Sequence, residues 1–172
     1  YLVRTYLNAY GFTTAKQIAH LKTGAGIRKN IDQVLKTMLR AGEIRQIDIE
    51  NMPAVFVSND LHKQAFTETA SGIRLLSPFD NSIIHRDRLK QFFDFDYKIE
   101  CYTPKEKRQF GYFCLPILFG DAFIGRMDCK AHRKEKEFEI IHLHIVSTDI
   151  NMELWIQPFL EQVQALAKFN RC

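Results

Sequence analysis

The most constraining feature of this chain is a change of hydrophobic period around the turn Ser77-Pro78-Phe79-Asp80-Asn81. Before it, apolar residues recur with helical spacing and then in two short alternating runs. After it, aromatic and β-branched residues alternate as they do in strands. A chain that changes period in this way builds an α+β protein with its helices and strands segregated along the sequence. The turn itself is specified: proline fixes φ, and the Ser, Asp and Asn beside it can bond nearby backbone groups. Leu75-Leu76 enter it, and the mixed-charge run His85 to Lys90 follows Ile83-Ile84.

In the first half, Tyr1 to Tyr10 can form a helix that Gly11 ends. Thr14 and Gln17 have capping-box spacing and start a short helix to His20 or Leu21. The clearest helix carries Ile31, Val34, Leu35, Met38 and Leu39 as one apolar stripe and is closed by Gly42. With that stripe buried, Arg28, Lys29, Lys36 and Arg40 face solvent. Two short strands, 43–50 and 54–58, flank the turn at Asn51-Met52-Pro53. Three helices followed by a hairpin is the order of a winged helix-turn-helix. Asp48 and Glu50 on the hairpin would oppose phosphate contact there. Residues 61–70 read as a connecting helix or loop.

In the second half, strands are expected at 95–103, 110–119, 122–129 and 138–147, with a hairpin turn at Gly120-Asp121 and a charged turn at 130–136. Such a meander suggests a small antiparallel β-barrel-like domain. Glu139, Ile141, Leu143 and Ile145 form its expected inner face. A helix from Pro158 to Phe169 would pack Phe159, Leu160, Val163 and Ala167 on the sheet, with proline in its first turn. The expected organisation is a winged-helix domain at 1–66, a connecting turn and helix at 67–94, and a barrel-like domain with its C-terminal helix at 95–172.

Charge is unevenly spread. Residues 1–83 carry net +3, residues 84–136 net +4, and residues 137–172 net −3. That is a modest sign of a polyanion-binding face, and a solvated basic surface would look the same. No apolar run approaches the roughly 18 residues of a membrane span. The four cysteines lack C-x-x-C spacing and read as free thiols of a reducing cytoplasm. The chain lacks an initiator Met and starts in mid-pattern, as a piece of a longer protein would.

Neither catalytic nor metal motifs emerge from spacing. His142 and His144 share a strand face, but no Cys or carboxylate completes a ligand set, so solvated or hydrogen-bonded imidazoles are expected. Asp80, Asp87, Asp94 and Asp96 suit helix capping or arginine pairing better than acid/base work. The turn 130–136, with Lys130, His132, Arg133 and Lys134, could reach phosphates, though exposed turns are often charged for solubility alone.

The second half resembles the C-terminal part of the YcaQ/AlkZ family of DNA glycosylases. The matching residues are Ser77 to Asn81, Phe95-Asp96-Tyr97, Glu100, Tyr102, Pro104, Lys107-Arg108, Gly111-Tyr112, Leu115-Pro116, Gly120-Asp121, Gly125-Arg126, Asp128, Lys130 and Arg133. The resemblance implies a cytoplasmic, nucleoid-associated, metal-independent enzyme without a cofactor. It would act as a monomer on damaged or crosslinked duplex DNA, hydrolysing the N-glycosidic bond of N7-alkylated purines and unhooking interstrand crosslinks. It associates a hairpin with DNA engagement, for which Lys130 to Lys136 is the candidate; with the basic residues read from the helix face and the charged loops, the expected DNA contacts are Arg28, Lys29, Lys36, Arg86, Arg88, Lys107, Arg108, Arg126, Lys130, His132, Arg133 and Lys134. The family's catalytic Gln-apolar-Gln or Gln-apolar-Asp motif belongs to an N-terminal portion expected to be missing here. Gln46-Ile47-Asp48 has the same letters but reads as ordinary strand alternation, so no catalytic residue is assigned. A non-enzymatic winged-helix regulator remains the alternative.

Overall fold

A computed structural model describes residues 1–20, 22–62, 72–146 and 151–172. Its internal contacts divide the chain into two units, Tyr1–Thr67 and Glu68–Cys172. The fold is mixed α and β, and both of its sheets are antiparallel.

The first unit runs α1 (Leu2–Tyr10), β1 (Phe12–Thr13), α2 (Ala15–Ala19), α3 (Ile27–Arg40), β2 (Ile44–Ile47), β3 (Val55–Ser58) and α4 (Asn59–His62). The capping box of α2 forms as expected: Gln17 N–H donates to Thr14 Oγ1 (3.2 Å), and Thr14 N–H donates to Gln17 Oε1 (3.0 Å). Ile31, Leu35 and Met38 of the α3 stripe are buried with Val3, Leu7, Ile18, Ile44 and Phe56. Val34 stays exposed at 43%, so the stripe is narrower than its spacing suggests. The sheet order is β1-β3-β2. Strand β1 has no counterpart in the expected elements, because two residues are too few to show a period. The region expected as connecting helix or loop yields α4 at its start; residues 63–71, including most of the expected 66–74 boundary, lie outside the described residues.

The second unit runs β4 (Ile73–Leu75), α5 (Arg86–Phe93), a single 3₁₀ turn (Lys105–Lys107), β5 (Leu115–Phe119), β6 (Ala122–His132), β7 (Glu137–Ile145) and α6 (Met152–Phe169). Its sheet has the order β4-β5-β6-β7. The expected barrel is corrected to an open sheet: β4 and β7 end the order and do not pair with each other among the described residues. One face packs on α6 through Ile73, Ile117, Ile124 and Met127 against Trp155 and Phe159. The other packs Cys114 and Phe123 against Ile83, Leu89, Phe95 and Tyr97.

Further expectations change here. Residues 95–103 form no strand; Phe95 and Tyr97 are buried because they lie on the sheet face, and that produces their alternation without ladder pairing. Strand β5 begins at Leu115 rather than 110. Helix α6 begins two turns early, capped by Asn151 Oδ1 accepting from Glu153 N–H (3.0 Å), with Pro158 inside it. Proline removes the bond to the carbonyl of Leu154, whose residue is 61% exposed and so can be met by water. Buried Trp155 holds the preceding turn in place, while Leu160, expected on the sheet, is exposed. Ile141, Leu143 and Ile145, expected to face inward, are each about two-fifths exposed because β7 is an edge strand.

The turn at 77–84 is as specified as its composition implies. Asp80 N–H donates to Ser77 O (2.9 Å), and the Asp80 carbonyl accepts from Ile83 and Ile84 N–H. Asp80 Oδ1 accepts from Ser82 N–H (2.8 Å), and Pro78 is fully buried.

Candidate nucleic-acid interface

The segment between α5 and β5 has almost no regular structure, so its backbone groups need other partners. Two buried carboxylates supply them. Glu100, 5% exposed, accepts from the amides of Gln109 (3.0 Å), Phe110 (2.8 Å) and Gly111 (3.3 Å). Asp128 on β6, 4% exposed, accepts from Tyr112 N–H (2.7 Å) and Phe113 N–H (3.2 Å). Five consecutive amides are thus held by two side chains. Burial pushes the Glu100 carboxyl up, but the three amides and the charge of Lys98 outweigh it and hold the group below its ordinary value. Gly111 has φ +146, and a Cβ there would lie 2.6 Å from the Cβ and Cγ of Asp128, so the loop approaches β6 as only glycine allows.

Arg126 lies beneath this loop, 3% exposed, with its guanidinium 3.9 Å from the Phe110 ring centre and 4.7 Å from that of Phe95. Nη2 donates to Asp96 O (2.6 Å), while Nε and Nη1 find no hydrogen-bond partner among the described residues. Burial lowers its pKa, opposed by Cys114, Tyr97, Asp96 and Glu100. The Tyr97 hydroxyl donates to Cys114 O (2.6 Å).

On the outer side of the loop a cleft of about 350 Å³ is lined by Lys105, Arg108, Tyr112, Asp128, His142 and His144, among others. His142 and His144 stand opposite Asp128 and Arg126 in the β6–β7 ladder. Their rings are 5.9 Å apart, and His144 Nε2 lies 3.1 Å from the Phe110 carbonyl. Arg108 stacks over Tyr112 at 4.9 Å and donates from Nε to Thr103 O (2.9 Å). No cluster of His, Cys, Asp and Glu among the described residues could hold a metal ion.

The residues proposed for DNA contact fall into two groups. Arg28, Lys29 and Lys36 are exposed on α3, and Lys107, Lys130, Arg133 and Lys134 are exposed on the second unit. Arg108 and His132 are half-buried there. The β6–β7 hairpin is tied down by His132 Nε2 to Glu139 Oε2 (2.8 Å) and by Arg133 Nη2 donating to Asn170 Oδ1 (2.9 Å) at the end of α6. The second group points inward. Arg86 donates to the carbonyls of Ile83 and Pro78 and lies 4.7 Å from the Tyr97 ring centre. Arg88, 5% exposed, donates to Asn81 O. With Arg126 they knit the second unit together and present no open guanidinium to a duplex. Gln46 and Asp48 bond each other across an exposed strand end (2.8 Å).

A family model described as DNA glycosylase AlkZ-like matches residues 1–169. The chain belongs to this family. Membership carries a DNA-repair glycosylase role and a DNA substrate. No solved structure matches the chain. For this AlkZ-like chain, motif reading had already marked Glu100, Gly111 and Asp128, but not what they do. The signal lay in their company: an acidic residue amid aromatics, within a stretch lacking strand partners, implies a buried acceptor for loop amides. Lys105 carried no signal apart from its charge.

Proposed function

We propose that this chain is the DNA-gripping portion of a glycosylase that excises N7-alkylated purines from duplex DNA and unhooks interstrand crosslinks. The observation that carries the reading is the family match over residues 1–169, which spans both units. On this reading the first unit is a winged helix in which α3 offers Arg28, Lys29 and Lys36 to phosphates, and β2–β3 is the wing. The second unit contributes Lys107, Lys130, Arg133 and Lys134 from elements held firm by Glu100, Asp128 and the tie from Arg133 to Asn170. Exposed cations on a fixed frame position DNA without reading its sequence.

N7 alkylation makes the purine cationic and therefore a good leaving group. As the C1′–N9 bond breaks, N9 keeps the electron pair, the sugar acquires oxocarbenium character, and water adds its oxygen to C1′ and loses a proton. No residue of this chain is assigned to that step. Gln46 and Asp48, which bond each other at an exposed strand end, are given no part in it.

The test has two parts. A protein that joins this chain to a preceding Gln-apolar-Gln/Asp segment should release N7-methylguanine from methylated duplex DNA. The chain by itself should bind duplex with a log–log salt slope of about −0.9 per phosphate contacted. Lys134→Glu should weaken binding for every sequence alike. Salt-dependent binding without base release from any such protein would favour the non-enzymatic regulator.

A further inference from the structure

Asp128 stands at the wall of the cleft between loop 105–112 and β7, but both its oxygens are committed to amides, Oδ2 to Tyr112 and Oδ1 to Phe113. The other titratable groups facing the space are Lys105, Arg108 and Tyr112 from the loop and His142 and His144 from β7. One amide-bound carboxylate, still anionic, therefore faces two permanent cations and two imidazoles. A carbonyl oxygen can only accept, so the contact of His144 Nε2 with Phe110 O puts the proton on Nε2. Nδ1 is then the atom that gains a proton on charging. His142 is exposed and meets the His144 ring at 5.9 Å, and among the described residues no hydrogen bond to its nitrogens is seen. The two rings stand 5.9 Å apart on one face of β7, close enough to share one anion. Beside them Tyr112, 52% exposed and stacked under Arg108, offers a face on which a sugar or base can rest.

We propose that this cleft is a DNA phosphodiester subsite in which Lys105, Arg108 and the His142–His144 pair hold one backbone phosphate, with DNA binding coupled to proton uptake by the histidines. The inference rests on the DNA-binding reading above and adds a site and a pH dependence that the exposed lysines cannot provide. Lysine and arginine stay charged across the neutral range, whereas imidazole does not. The fixed loop matters as much as the charge. Glu100 and Asp128 hold amides 109–113 in place, so the cations need no reordering when phosphate arrives.

The experiment measures the anisotropy of a labelled duplex of about 20 base pairs with the chain at about pH 6 and about pH 8. The wild type should bind on the order of 5–10-fold tighter at the lower pH. His142→Gln should lose most of that ratio. Lys105→Gln should cut the salt slope by about 0.9 at both. Lys168→Gln, an exposed change on α6 across the sheet, should keep the wild-type pH ratio. All three replaced side chains are exposed, so loss of folding does not confuse the result. A His142→Gln chain with the full wild-type pH ratio would overturn the subsite. If the wild type binds no duplex at either pH, a titration with inorganic phosphate, followed through the imidazole resonances, separates the ideas. A His142 midpoint that rises with phosphate overturns DNA as the ligand while leaving an anion cleft; a midpoint that stays put overturns the cleft itself.

Discussion

Replacing Glu100 with Gln changes one oxygen to an amide nitrogen without altering volume, so it isolates the part the carboxylate plays in ordering the loop. Oε2 accepts from Phe110 and Gly111, and both oxygens lie within reach of Gln109 N–H at 3.0 and 3.1 Å. A glutamine carbonyl placed at Oε2 keeps Phe110 and Gly111 as neutral rather than charge-assisted bonds, a loss of about 1 kcal/mol. Its NH₂ then faces the Gln109 amide donor to donor, which costs a further 1–2 kcal/mol or so in a site shielded from water. The sum is about 2–3 kcal/mol. For a unit of this size, at about 4 °C per kcal/mol, the midpoint should fall by about 8–12 °C.

The assay is built into the chain. Its single tryptophan, Trp155, is 4% exposed in the core of the second unit, so its fluorescence follows unfolding of that unit. The sign of the pH effect follows from the depressed folded-state value of Glu100. Its contribution is complete above the ordinary value of 4.5 and is lost as pH falls from there through the folded value. The stability gap between wild type and Glu100→Gln should therefore be full at neutral pH and close in acid. A gap under about 0.5 kcal/mol at neutral pH, within the scatter of surface changes, would refute the reasoning. So would a gap that does not narrow in acid.

Two other perturbations address the same frame. Gly111→Ala must place a methyl against the Asp128 side chain at φ +146, and should lower stability by about 3 kcal/mol; a Trp155 transition within a degree or so of wild type would show that the loop can retreat from β6. Burial, then the neighbouring Asp128 carboxylate, pushes the Cys114 thiol up to about 12 and Cys129 up to about 11. Both should resist alkylation in the native chain near neutral pH and react on denaturation, read by peptide mass spectrometry; native labelling of Cys114 at the denatured rate would contradict its packing.

What could be read in advance was local. The Thr14–Gln17 capping box, the α3 stripe and the Gly120 turn, where φ is +58, each depend on residues a few positions apart, and each formed. Phe95 and Tyr97 misled because a buried aromatic alternating with Asp96 and Lys98 looks the same whether a strand pairs or a coil lies flat on a sheet. Distinguishing the two needs the partner of each backbone amide, and for residues 109–113 the partners are carboxylates nine to sixteen positions away. The same distance explains why cations were read as one class. Arg86, Arg88 and Arg126 look on paper like Lys107 and Lys134, yet three guanidinium groups face inward to carbonyls and rings while the lysines stay in water. Arginine tolerates that burial because its weakly hydrated planar group can stack on Phe110 and Phe95 while donating at its edge. A basic motif within an aromatic stretch is therefore first a candidate for holding the loop, and the cations that stay at least partly in water remain for DNA.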